Sequence, residues 1–327
     1  MTELRIAAID IGTVSSRLAL ATVADGVITA LDKRTVITDL GEGVDATGRF
    51  TEAAVARVLD ACRGFRAQID AFHAKGVSCT LTSAARDAQN AAVLLDGLRA
   101  LGFEPQVIAG EIEARLTFYG VAHAFPAQRI LVADSGGGST ELALGLFMPG
   151  SPLAFDHVRS LDIGCRRMTD RFLTPAPASV EQIERGARWA RDVFEPYWRE
   201  GAGDVAPERL VAVGGTVTTL VALVHGLAKY DPSFVHLHGL SLDEVEGAIE
   251  RMRGLDAEGI AKLPGVQPKR ARVLLGGAVV IRELMRTGGF NELTVSENSL
   301  LAGMAATIYE ELAGEEPVIG WAPALSC

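Results

Sequence analysis

An acidic residue followed at once by a small-residue loop occurs twice in this chain, each time at the end of a half's first strand-like run. The two copies are Asp10-Ile11-Gly12-Thr13-Val14-Ser15 and Asp134-Ser135-Gly136-Gly137-Gly138-Ser139-Thr140-Glu141, with the second acid 124 positions after the first. Glycines let a backbone approach an anion closely and turn several N–H groups onto it, while Thr13, Ser15, Ser139 and Thr140 add hydroxyl donors. Asp10, Asp134 and Glu141 beside such loops suit Mg2+ or another divalent cation, which is held by one or two carboxylates together with substrate phosphates and waters. One such loop alone would read as a hairpin turn; the duplicate reads as phosphate plus metal. No GK[ST] follows either loop and no GxGxxG follows a strand-like run, which disfavours a Walker P-loop and a dinucleotide site. A third loop, Gly214-Gly215-Thr216, lies where a β-branched run meets a helical one and offers a helix N-terminus to an anion.

Around the loops the element order repeats. The first half predicts strands over 6–11, 17–23 and 27–36, with Asp25-Gly26 as a hairpin turn. A helical segment then starts at Thr51 and continues up to Gly76 on the apolar spacing of Val55, Val58, Leu59, Cys62, Phe65, Ile69 and Phe72. Strand 77–81, helix 88–101, strand 103–109 and helix 111–124 complete it. The second half predicts strands over 130–135, 141–147 and 153–161, helix 180–197, strand 210–213 and helix 217–227. Helices over 242–252 and 270–285, a strand over 293–295 and a last helix over 298–312 follow. Two similar halves of alternating strands and helices imply two α/β domains, each a mixed sheet flanked by helices, with a cleft between them. The boundaries expected are 1–125 and 126–327, the helix near 299–313 packing on the first domain.

A length of 327 residues and a hydrophobic fraction of 48% allow each domain its own core. The net charge of −10, from 31 basic and 41 acidic residues, argues against a nucleic-acid-wrapping protein, so an anionic substrate has to be met locally. Four cysteines without a CxxC pair predict free buried thiols, and the charged N-terminus is too short in apolar residues for a signal peptide, so the chain reads as cytoplasmic. Leu210 to Ala228 holds no charged residue, but its glycine pair divides it into strand, loop and helix rather than a membrane span.

The stretches Ala8 to Thr13, Leu40 to Gly48, Thr82 to Asn90, Gly110 to Leu116, Asp134 to Glu141, Ser160 to Phe172 and Gly214 to Thr216 together make the chain similar to the exopolyphosphatase and guanosine pentaphosphate phosphohydrolase family. That family belongs to the actin-like, sugar kinase and Hsp70 ATPase superfamily, so the resemblance implies two actin-like (ribonuclease H-like) domains. It further implies a Mg2+-assisted hydrolase that removes the terminal phosphate of linear polyphosphate, or the γ-phosphate of guanosine pentaphosphate. Short polyphosphate is favoured by the absence of the helical extensions longer members carry, and a homodimer is expected. Glu113 takes the family's presumed general-base position. The remaining catalytic expectations are Asp134, Glu141 and Arg86; Gly12, Thr13, Ser15, Arg17, Gly136, Gly137, Gly138, Ser139, Thr140, Gly214, Gly215 and Thr216 are expected on phosphate, and Asp10, Asp134 and Glu141 on the metal. Lys269, Arg270 and Arg272 read as a surface helix start.

Three positions depart from the family pattern. Val14 stands where an Asn is common, Ile112 replaces one of two adjacent glutamates, and Leu301 falls where an arginine is usual. They motivate two alternatives: a catalytically weak or silent sensor of polyphosphate or guanosine polyphosphates, and an ATP-dependent phosphotransferase of the same superfamily, which the loops alone permit.

Overall fold

The computed structural model describes residues 3–202 and 205–326. The chain forms two compact units: residues up to His123 together with those from Ser299 onward, and Ala124–Asn298.

The first unit is built on a mixed sheet. β1 (Glu3–Ile11), β2 (Ser15–Ala24) and β3 (Val27–Ile37) form an antiparallel meander, its first turn at the glycine loop and its second at Asp25-Gly26, where both residues have positive φ. β4 (Val77–Leu81) runs parallel to β1 on the other side, and β5 (Pro105–Val107) runs parallel to β4. Residues Ile6 to Ile11 are all buried, which is why β1 reads as a continuous apolar run rather than an alternation. The helix Glu52–Phe72 starts under the cap of Thr51, whose hydroxyl accepts from Ala54 N–H, and lays Val55, Val58, Cys62, Phe65 and Ile69 on the core.

In the second unit β6 (Arg129–Ser135), β7 (Thr140–Leu146) and β8 (Ala154–Leu161) repeat the meander, and β9 (Arg209–Val213) runs parallel to β6. β10 (His238–Ser241) and β11 (Glu292–Val295) complete the order β10-β11-β9-β6-β7-β8. Helices Val180–Tyr197 and Ala271–Gly288 cover this sheet, the former capped by a reciprocal Ser179–Gln182 box. The uncharged stretch from Leu210 divides as expected into β9, a turn at Gly214 (φ 100°) and the helix Gly215–Val224. Among the described residues no helix is long and apolar enough to cross a membrane.

Residues from Ser299 onward pack with the first unit, not the second. β12 (Leu325–Ser326) pairs antiparallel with β4, and the helix Leu300–Ala313 lies on the helix Gly110–Ala122. Glycines set that crossing: a Cβ on Gly120 would stand 2.3 Å from the Ser299 carbonyl oxygen, and one on Gly303 would stand 1.9 Å from that of Leu116. The Tyr119 hydroxyl also donates to Glu310 at 2.7 Å across the seam, and burial pushes the Glu310 carboxyl above its ordinary range.

Several local expectations change. The helix predicted over 88–101 is shorter, Ala91–Arg99, and a further short helix, Ser83–Asp87, precedes it. Asn90 marks the break, because its side-chain amide holds both the N–H and the carbonyl of Phe50. The strand predicted over 103–109 shrinks to Pro105–Val107, and the last helix starts at Leu300. The helix Cys165–Phe172 appears where none was expected. Cys62, Cys79 and Cys165 are free and buried; Cys327 lies outside the described residues.

Candidate active site

The two duplicated loops share one turn. In the first, Gly12 N–H donates to the Ser15 carbonyl at 2.9 Å; in the second, Gly136 N–H donates to the Ser139 carbonyl, also at 2.9 Å. A Cβ on either glycine would sit 3.3 Å from that same serine oxygen. The sequence repeat is therefore a repeat of backbone geometry.

What backs each loop determines where its donors point. Gly41 N–H donates to Thr13 O, and Thr38 and Asp39 N–H both donate to Val14 O. In the second loop Gly136 O accepts from Cys165 N–H, Gly137 O from the N–H groups of Arg166 and Arg167, and Gly138 O from Arg167 Nε. A trans peptide sets its C=O and N–H antiparallel. Turning these carbonyls toward their supports turns the N–H groups of Val14, Ser15, Gly137, Gly138 and Ser139 the opposite way, in two short runs that suit phosphate oxygens. The second backing is very close: a Cβ on Gly164, the residue before the helix Cys165–Phe172, would lie 2.5 Å from the carbonyl carbon and oxygen of Gly137.

The acids differ in company. Asp10 is 1% exposed, and its Oδ2 receives both Nε and Nη2 of Arg17, each at 2.7 Å, from the directly opposite position on β2. Its Oδ1 is buried without a hydrogen-bond partner. Asp134 faces Glu141 across the β6–β7 pair, and Glu141 Oε1 accepts from Ser160 Oγ at 2.8 Å. Mg2+ takes oxygen ligands and keeps several waters, so the uncommitted Oδ1 in the first unit and, separately, the facing carboxylates in the second each fit such an ion chemically. Among the described residues no group of three or more His, Cys, Asp or Glu is placed to hold a metal.

The third loop closes on the second. Asp134 lies beside Val213 in the parallel β6–β9 pair, and a Cβ on Gly214 would come 3.2 Å from Asp134 Oδ1. Arg270 fills the space above Gly215, where a Cβ would meet its Nη1 at 1.9 Å. This arginine does stand at a helix start, as read from sequence, but it is half-buried and sets its guanidinium at the N-terminal end of the helix Gly215–Val224. The Thr216 hydroxyl bonds the Cys165 thiol, whose pKa is pushed up to about 11 by burial against the opposing pull of Arg270 and Arg166. Thr140, expected on phosphate, is fully buried and donates its only hydroxyl proton to Ile163 O at 2.6 Å, so it supports the loop.

Glu113 sits in the first turn of the helix Gly110–Ala122, buried, and its Oε2 pairs with Arg86 Nη1 at 2.9 Å. The same Nη1 donates to the Ile108 carbonyl at 3.0 Å. Arg86 belongs to the helix Ser83–Asp87 and holds the Glu113 carboxylate in place. Glu111 is exposed, and Ile112 is half-buried between the two acids. Glu113, Arg86 and Asp10 belong to the first unit; Asp134, Glu141, the third loop and Arg270 belong to the second.

The Ppx/GppA phosphatase family matches residues 19–312. The chain belongs to that family. It is a phosphoanhydride hydrolase by class, with an actin-like fold. It is 36% identical over 320 residues to Exopolyphosphatase 2 of Mycobacterium tuberculosis, covering 93% of this chain and 98% of that one. It is 28% identical over 307 residues to the guanosine-5′-triphosphate,3′-diphosphate pyrophosphatase of Photobacterium profundum, covering 93% of this chain and 58% of that protein. The solved structure of an exopolyphosphatase-like protein superimposes with a TM-score of 0.89 at 30% identity, over 96% of this chain and all of the other. Against the family pattern, Val14 is a buried member of the first loop and Leu301 is buried in the last helix.

Proposed function

We propose that this Ppx/GppA member hydrolyses the terminal phosphoanhydride of linear inorganic polyphosphate, short chains preferred, with Mg2+. The observation that carries the reading is the Arg86-held, buried carboxylate of Glu113, in a chain that matches an exopolyphosphatase along nearly the whole length of both. Glu113 takes a proton from water as the water oxygen bonds to the terminal phosphorus. The bridging P–O bond breaks, and the shortened polyphosphate departs with the bond's electron pair. Charge spreads over the phosphoryl oxygens in such a transfer, so preorganised N–H donors contribute most. Those of Val14, Ser15, Gly137, Gly138 and Ser139 take this part, and Arg270 adds a cation at the third loop. Asp10 in the first unit and the facing Asp134 and Glu141 in the second are the carboxylates that would hold Mg2+, which would neutralise phosphate charge. Arg86 is a positioning residue acting through Glu113.

A phosphate-release assay across tripolyphosphate, longer polyphosphates, guanosine pentaphosphate and ATP tests this reading. Polyphosphate is expected to be the best substrate, and Glu113→Gln to lower kcat by ~10²–10⁴ with KM little changed. ATP turning over as fast as tripolyphosphate, or Glu113→Gln retaining full kcat, overturns it.

A further inference from the structure

The second unit carries a pair of imidazoles that the proposed hydrolysis does not use. His225 caps the C-terminal end of the helix Gly215–Val224, and His238 opens the edge strand β10. Their Nε2 atoms face each other at 2.8 Å, with ring planes at 73°. Phe234 packs on both, its ring centroid 5.2 Å from that of His225 and 4.8 Å from that of His238.

We propose that His225 and His238 form a binding site for a borderline transition-metal ion, Zn2+ in the first instance, distinct from the Mg2+ expected at the acidic loops. Two neutral imidazoles presenting Nε2 to one point are half of a tetrahedral zinc site, and nitrogen donors select Zn2+ over Mg2+. One ring now donates its Nε2 proton to the other; moving that proton to Nδ1 frees both lone pairs. Two Zn–N bonds of ~2.0–2.1 Å at a tetrahedral angle place the nitrogens about 3.3 Å apart. The pair therefore opens by roughly half an ångström, a motion that the exposed His225 side chain accommodates. Two further features favour a cation. The carbonyl end of the helix Gly215–Val224, negative by its dipole, lies at His225. Glu244 interacts electrostatically with both rings while its carboxylate caps the next helix through Ser241. With no third protein ligand in place among the described residues, water completes the coordination. His236, two residues before His238, accepts instead from Glu297 N–H through Nδ1.

Calorimetric titration of the full-length, tag-free chain with ZnCl2, in buffer containing excess Mg2+, tests the site. One equivalent is expected, with the affinity lowered more than tenfold in both His225→Ala and His238→Ala and unchanged in His236→Ala. Replacing Zn2+ with Cu2+ adds a second readout: electron paramagnetic resonance should show coupling to two imidazole nitrogens, lost in the double variant. Absence of binding overturns the assignment, as does binding that survives in the double variant. Neither result depends on catalysis, so the site and the proposed hydrolysis stand or fall separately.

Discussion

The two acid-glycine loops have the same turn, the same serine carbonyl as acceptor and the same clearance at the first glycine, yet they are supported in different ways. The first is backed by residues 38–41, the largely buried segment that follows β3, and its acid is gripped by a single arginine. The second is backed by a helix N-terminus at backbone distance, its acid has a carboxylate partner, and a further glycine loop leans on it. Duplication fixes the turn of each loop. The backing determines how much disturbance the loop tolerates.

The sharpest way to break the comparison is to press on each backing. Gly164→Ala drives a Cβ into the Gly137 peptide, which cannot rotate away, so the second loop has to shift. Overpacking of this kind costs ~1–3 kcal/mol, and a displacement of about 1 Å in a positioning group lowers turnover ~10²-fold. Gly41→Ala meets Thr13 Cγ2 at 2.2 Å, but that methyl terminates a side chain that can turn, so smaller losses are expected in both thermal unfolding and phosphate release. Equal losses would show that the two backings are mechanically alike.

Exchanging the acids gives the next largest effect. Asp10→Asn keeps an acceptor for Arg17 but removes the charge from the uncommitted Oδ1. The Mg2+ concentration giving half-maximal activity should rise at least about tenfold, as much as the loss of an outer partner to a metal ligand produces. Asp134→Asn should raise it less, because Glu141 stands opposite. The reverse order would move the metal to the second loop.

The smallest effect concerns the thiol between the second and third loops. With its pKa at about 11, Cys165 holds only about one part in a thousand as thiolate at pH 8. Alkylation of the folded protein should spare it at pH 8 and accelerate as the pH climbs toward 11. Rapid labelling at pH 7 would reveal a second loop looser than its backing suggests.

Both loops and most of their flanking strands were legible because each is a local pattern: an apolar run, an acid, then small residues. Glu113 was reached through family resemblance; on position alone it is an ordinary first-turn glutamate. Arg270, Gly164 and Gly41 could not be read, because each matters for what it touches far along the chain. The helix Cys165–Phe172 was hidden by its four charged residues, though Cys165, Met168 and Phe172 keep the i, i+3, i+7 spacing that marks its buried side.

The seating of the helix Gly110–Ala122 against Leu300–Ala313 has a consequence for biosynthesis. Everything between those helices folds as a separate body, so a ribosome delivers the whole second unit before the partner that clamps the Glu113 helix has been made. A nascent chain halted near residue 298 would carry both glycine loops and the glutamate itself, with the glutamate's helix lacking its glycine-fitted neighbour. The seat of the Glu113 helix is on this view completed only once residues 299–313 have been translated.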